Sequence, residues 1–193
     1  EDTFADRPFN EVDSLALAQL SYARMPVNVP RLDAEAMDVD LAMVGVRDLL
    51  RAECYDDMFG KVWSPSMNVD LLRAMCESPR WRDLRVGGYV DEFDPETTKQ
   101  FSACVFDVGD GSSYVAFRGT DSTIVGWKED FAMAFRRPVA AQESAARYLA
   151  DIAGRRDGPL MVGGHSKGGN LAVYAAANAP AAVQERLIAV CCH

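Results

Sequence analysis

The sequence predicts an α/β protein: a three-layer sandwich built on a mostly parallel sheet and preceded by a helical segment. Three observations predict it. Apolar residues in the first 79 positions recur near helical spacing, short apolar runs begin after Pro79, and from Ala141 onward such runs alternate with helical stretches. Strand, helix and strand in succession imply parallel crossovers with helices on the sheet's faces.

Taken in order, Asn10–Ala23 reads as a helix, with Val12, Leu15, Ala16, Leu20 and Ala23 near one face. Pro26 and Pro30 break the chain. Ala34–Ala52 and Val69–Cys76 read as further helices, with an irregular piece, Phe59–Ser66, between them. Leu84–Phe93, Phe101–Val108 and Ser113–Phe117 read as strands, the last two joined through Gly109-Asp110-Gly111, where glycine tolerates the positive φ of a hairpin turn. Tyr114–Phe117 lacks polar alternation, which predicts burial on both faces. Ala141–Ala153 is a helix ending at Gly154, and Asp157-Gly158-Pro159 turns the chain. Leu160–Gly163 is a short apolar strand, Asn170–Ala177 a helix and Leu187–Cys192 a last apolar strand. The expected organisation is one domain over 1–193, helical in 1–79 and sheet core in 80–193.

Composition narrows the function classes. Hydrophobic residues at 49% and charged residues at 25% are ordinary for a globular chain, while a formal net charge of -9 disfavours nucleic acid and anionic membranes as partners. No apolar run is long enough to span a bilayer, and no signal peptide is visible. Five cysteines, an odd number mostly within apolar stretches, read as reduced, buried thiols of a cytoplasmic protein. With two histidines, His165 and His193, and no zinc-ligand spacing, no metal and no cofactor is expected.

The chemistry-bearing motif is Gly163-Gly164-His165-Ser166-Lys167-Gly168-Gly169, between a predicted strand and a predicted helix. That is the setting of a nucleophile elbow, a tight turn presenting a serine at the top of a sheet. Gly164 and Gly168 leave room for close backbones, Ser166 stands at the positive end of the next helix, and the Lys167 N–H is an oxyanion donor. A phosphate-binding loop fails on order, because Lys167 follows the serine. Phe117-Arg118-Gly119-Thr120-Asp121, at the end of the buried strand, offers the Thr120 N–H and hydroxyl as a second donor.

Val115–Thr120 followed by Gly126–Phe131 resembles the oxyanion region of the class-three lipases, an apolar strand, Phe-Arg-Gly-Ser/Thr, then Trp-x-x-Asp. The chain is more similar still to a family of uncharacterised bacterial proteins, the Mbeg-like α/β-hydrolases. Asp13-Ser14-Leu15, Leu20-Ser21-Tyr22, Phe117–Asp121, Gly126–Phe131, Gln142 and Gly164–Asn170 carry this resemblance. It implies an α/β-hydrolase fold with Ser166 as nucleophile and Thr120 and Lys167 as oxyanion donors. Gly164, His165 and Gly168 would form the elbow, and Trp127 and Asp130 would support the oxyanion loop.

A serine nucleophile needs a base and an acid, in this fold following the serine in chain order. After Ser166 only Glu185 and His193 are available. His165 points away from a serine it precedes on a strand, and Lys167 is poorly placed as its neighbour. His193 is the better of the three, but an apolar strand at Leu187–Cys192 is expected inside a sheet rather than at its edge. The base and acid are therefore expected beyond His193, with the sheet continuing there. The expected function is hydrolysis of a small-molecule or lipid acyl ester. The same machinery also serves thioesterases and peptidases. The alternative is a non-catalytic interaction protein on the same fold.

Overall fold

The computed structural model describes residues 2–33, 40–120, 124–133, 135 and 138–193. It is an α/β fold with a six-stranded mixed sheet and, among the described residues, seven helices. The strands are β1 (Met43–Gly45), β2 (Arg85–Asp94), β3 (Lys99–Asp107), β4 (Ser113–Phe117), β5 (Leu160–Gly164) and β6 (Leu187–Cys192), lying side by side in that order. The helices are α1 (Glu11–Leu20), α2 (Tyr55–Phe59), α3 (Pro65–Glu77), α4 (Ile124–Met133), α5 (Ala140–Arg155), α6 (Lys167–Asn178) and α7 (Ala181–Gln184).

The expectation of a mostly parallel sheet is corrected. β1–β2, β2–β3 and β3–β4 pair antiparallel; only β4–β5 and β5–β6 are parallel. The reason lies in the connections. Residues 95–98 join β2 to β3 and residues 108–112 join β3 to β4, and neither is long enough to carry a crossover. The parallel half begins where α4 and α5 intervene between β4 and β5. Gly109 and Gly111 take φ of 87° and 89° in the β3–β4 turn, as that hairpin requires.

The N-terminal segment is also less helical than expected. Of the predicted helix Ala34–Ala52, residues 34–39 lie outside the described residues. Met43–Gly45 forms β1 and Val46–Leu49 a 3₁₀ turn. Met43 pairs with Gly87 on β2, so tertiary pairing overrides the helical spacing. The segment treated as a helical prefix thus supplies a strand to the sheet.

Alternation along β4 divides the core. Tyr114 and Ala116 join the cluster formed with Leu17, Leu20, Leu72 and Met75 of α1 and α3. Val115 and Phe117 join the cluster formed with Leu149, Ile152, Leu171 and Ala172 of α5 and α6. Every residue of β4 and β5 is buried, as the missing polar alternation predicts. β6 is an outer strand of the described sheet, with Ile188 64% and Val190 44% exposed. The cysteines carry no disulfide, but only Cys76 and Cys104 are buried; Cys54 and Cys191 are half-buried and Cys192 is exposed.

Candidate active site

The site forms where β4 and β5 end side by side. Phe117 pairs with Gly164 in parallel register, so Arg118-Gly119-Thr120 and His165-Ser166-Lys167 leave the sheet together. Their proximity is enforced by glycine. A Cβ on Gly168 would lie 2.1 Å from the Phe117 carbonyl oxygen, one on Gly164 2.4 Å from the Gly168 carbonyl carbon, and one on Gly119 2.7 Å from the His165 carbonyl oxygen. Only hydrogen fits at these three positions.

Ser166 sits at the turn between β5 and α6 with φ 57° and ψ -125°. It is one of three non-glycine residues with positive φ among those described. A serine there is strained. The turn is pinned on both sides: the Ser166 N–H donates to the His193 carbonyl at 2.8 Å, and Gly169 N–H donates to the Ser166 carbonyl at 3.0 Å. The side chain is exposed, and among the described residues its hydroxyl has no hydrogen-bond partner. Neither do the backbone N–H groups of Lys167 and Thr120, the two expected oxyanion donors.

The Thr120 hydroxyl is engaged. It donates to Asp130 Oδ2, which ties the loop to α4. Burial raises the Asp130 carboxyl above its ordinary range, opposed by the Thr120 hydrogen bond and by Lys167. Trp127, expected as a second support, is 57% exposed and makes no such tie. Asp121, the last residue of the predicted motif, lies outside the described residues.

The Lys167 side chain runs into the interior. Its Nζ donates to the carbonyl and Oε1 of Gln100, both at 2.7 Å, and to Glu129 Oε2 at 3.0 Å. Burial lowers its pKa, and Glu129 pulls it back. Lys167 is therefore an anchor for the start of α6 and is not directed at Ser166. Glu129 also accepts the N–H groups of Gln100 and Ala141, so one carboxylate joins β3, α4, α5 and α6. Sequence reading missed Glu129 and Gln100. Glu129 sits between Lys128 and Asp130 in a charged run, and nothing local marks it or Gln100 as buried.

Neither imidazole hydrogen-bonds to the Ser166 hydroxyl. His165 is exposed, with Nδ1 3.0 Å from the Tyr22 hydroxyl. His193 places Nε2 2.9 Å from Ser14 Oγ, which lies 2.8 Å from the Tyr114 hydroxyl. Tyr22 and Ser14 belong to the short N-terminal marks Leu20-Ser21-Tyr22 and Asp13-Ser14-Leu15, whose roles sequence alone left open. Asp13 is itself buried, accepting from Arg80 Nε at 2.6 Å and from Trp81 Nε1 at 3.1 Å. Gln142 donates to Asn170 at 2.9 Å, linking the starts of α5 and α6. No described helix is long and apolar enough to cross a membrane.

One comparison identifies relatives: residues 75–193 match the family model described as Mbeg1-like. No curated protein and no solved structure matches the chain.

Proposed function

We propose, on the premise that the chain belongs to the Mbeg1-like family, that it is a serine acyl hydrolase of α/β-hydrolase type, related to the class-three lipases. The observation that carries the reading is the strained, exposed Ser166 at a strand–turn–helix corner, flanked by two unengaged N–H groups. A backbone strained at a solvent-facing hydroxyl has no packing purpose, whereas presenting a nucleophile requires it.

In this reading Ser166 Oγ attacks the carbonyl carbon of an ester and its proton passes to a base. The oxyanion takes hydrogen bonds from the Lys167 and Thr120 N–H groups, the alcohol leaves with a proton, and water hydrolyses the acyl-serine. Loss of one oxyanion donor slows such reactions by about 10²–10³. The Thr120–Asp130 and Lys167–Glu129 contacts hold the two donors in place before substrate arrives. Neither imidazole hydrogen-bonds to Ser166, so the proposal assigns the base and acid to residues outside 1–193. Five unpaired thiols support a reducing, cytoplasmic setting. Substrates are small-molecule or lipid acyl esters.

The same histidine geometry favours a second reading, an interaction protein that keeps the fold without the reaction. A fluorophosphonate probe separates them. The full-length gene product is expected to be labelled at Ser166 and Ser166→Ala to be silent. Absence of label, under conditions that label a control serine hydrolase, gives the interaction reading.

A further inference from the structure

A cavity of about 280 Å³ lies beside the site, between α2 with the turn that follows it and the end of the sheet. Tyr22 and Arg118 form its wall toward Ser166. The Tyr22 hydroxyl is the atom that a Cβ on Gly119 would strike at 1.9 Å, and it contacts His165. Two lining residues thus adjoin the site: Arg118 precedes Gly119 and Thr120 in the chain, and Tyr22 contacts His165, the residue before Ser166. A group of the substrate extending from the scissile ester toward the N-terminal segment enters the cavity.

The lining states what that group is. Met58, Val62, Phe93 and the Tyr22 ring give apolar surface, and the other six lining residues are charged. Asp91 is held by Arg118 at 2.9 Å and by Arg24 at 3.6 Å, and Asp56, Asp57 and Lys61 complete the wall. Three carboxylates face three cations, so neither ionic sign is preferred. A long acyl tail set against six charged residues gains only part of the roughly 0.8 kcal/mol that each buried methylene gains in an apolar channel. The volume also falls just below the ~300–1,000 Å³ of small-molecule sites. A hydroxyl both donates and accepts, and it is the neutral group that pairs with carboxylates and guanidinium groups alike.

We propose that this cavity receives the alcohol part of the substrate and selects short-chain acyl esters of hydroxyl-rich alcohols. The proposal rests on Ser166 being the nucleophile.

The test compares glyceryl monoacetate with propyl acetate, which share a carbon skeleton and differ by two hydroxyls, with 4-nitrophenyl palmitate as the long-chain arm, all on the full-length protein. kcat/KM for glyceryl monoacetate is expected at least tenfold above propyl acetate, with palmitate poorest. Val62→Trp, which fills the cavity, and Asp57→Ala, which removes an exposed carboxylate from its wall, are each expected to bring the ratio of the two acetates toward one. Parity of the acetates in the wild type, preference for palmitate, or an unchanged ratio in both variants overturns the assignment while leaving the nucleophile in place. Loss of both fluorophosphonate labelling and all turnover overturns the nucleophile, and the assignment with it.

Discussion

The ammonium of Lys167 and the carboxylate of Glu129 lie 3.0 Å apart with both side chains almost wholly shielded from water. Lys167 is the residue after Ser166, so the start of α6 is bolted to α4 through its own side chain. Glu129→Ala leaves a buried cation with only Gln100 as partner and is expected to cost about 3–5 kcal/mol. Glu129→Gln turns an amide N–H₂ against one of the three donors the carboxylate satisfies and costs about 1–3 kcal/mol. Urea unfolding of the two variants gives the order; equal stability of Glu129→Ala and wild type would remove the pair from the site's framework.

Thr120 and Asp130 make the corresponding tie for the other loop. Asp130 Oδ1 has no partner, so Oδ2 depends on Thr120 for its hydrogen bond. Thr120→Val keeps the shape, leaves that half-buried carboxyl without a donor and is expected to destabilise by about 1–3 kcal/mol. Fluorophosphonate labelling should slow in parallel, and Thr120→Ser should restore both. Slow labelling by Thr120→Ser with full stability would contradict a positioning role for the hydroxyl.

The sheet core was legible because β3, β4, β5 and β6 are apolar runs bounded by glycine, proline or charge. Ser113–Phe117 and Leu187–Cys192 fall where the pattern ends. The elbow was legible because its glycines answer to backbone crowding that no side chain permits. Strand direction was misread although the signal was present: the four residues between Asp94 and Lys99 force an antiparallel return. β1 was hidden because three residues, Met43-Val44-Gly45, carry no period of their own. The partnerships Ser14–His193 and Tyr22–His165 span 179 and 143 positions, and no local pattern encodes such a distance.

Gly168 faces the Phe117 carbonyl so closely that a methyl group would lie 2.1 Å from it. The obstacle is backbone in a fully buried strand, which has no rotamer to yield. Gly168→Ala is expected to destabilise by about 1–3 kcal/mol through forced separation of β4 from α6. Gly154→Ala, where nothing lies within 4 Å, serves as the contrast and should be neutral or stabilising in urea melts. Equal effects at the two positions would contradict the crowding.

Alkaline pH should weaken the fold through its buried tyrosines and thiols. Burial pushes Tyr22 up to about 12, with Asp130 adding to the effect, and pushes Tyr89 up to about 12, with Asp91 adding. Burial raises Cys76 to about 11 and Cys104 to about 12 in the same way. A raised folded-state pKa means that the unfolded chain loses these protons first. Their stability is complete below about 9, where the thiols begin to ionise in the unfolded chain, and is lost as pH rises through 10 toward 12. Lys167, shifted downward, acts with the opposite sign below its ordinary 10.5 and blunts the fall. The urea midpoint should drop between pH 10 and 12 as tyrosinate absorbance appears, with a shallower slope for Tyr22→Phe. A midpoint independent of pH over that range contradicts the burial of these groups.

Ser166 sets stability against chemistry. Its φ of 57° with ψ of -125° costs a side-chain-bearing residue about 1–3 kcal/mol, a cost that glycine escapes. Glycine also loses more freedom on folding, worth about 0.4–1 kcal/mol in the other direction. Ser166→Gly is therefore expected to be more stable than wild type by about 1 kcal/mol, while Ser166→Ala, which keeps a Cβ, gains nothing. Both lose fluorophosphonate labelling. The comparison of glycine with alanine isolates the backbone from the hydroxyl: equal stabilities would mean that the turn holds no strain, and the case for Ser166 as a presented nucleophile would lose its carrying observation.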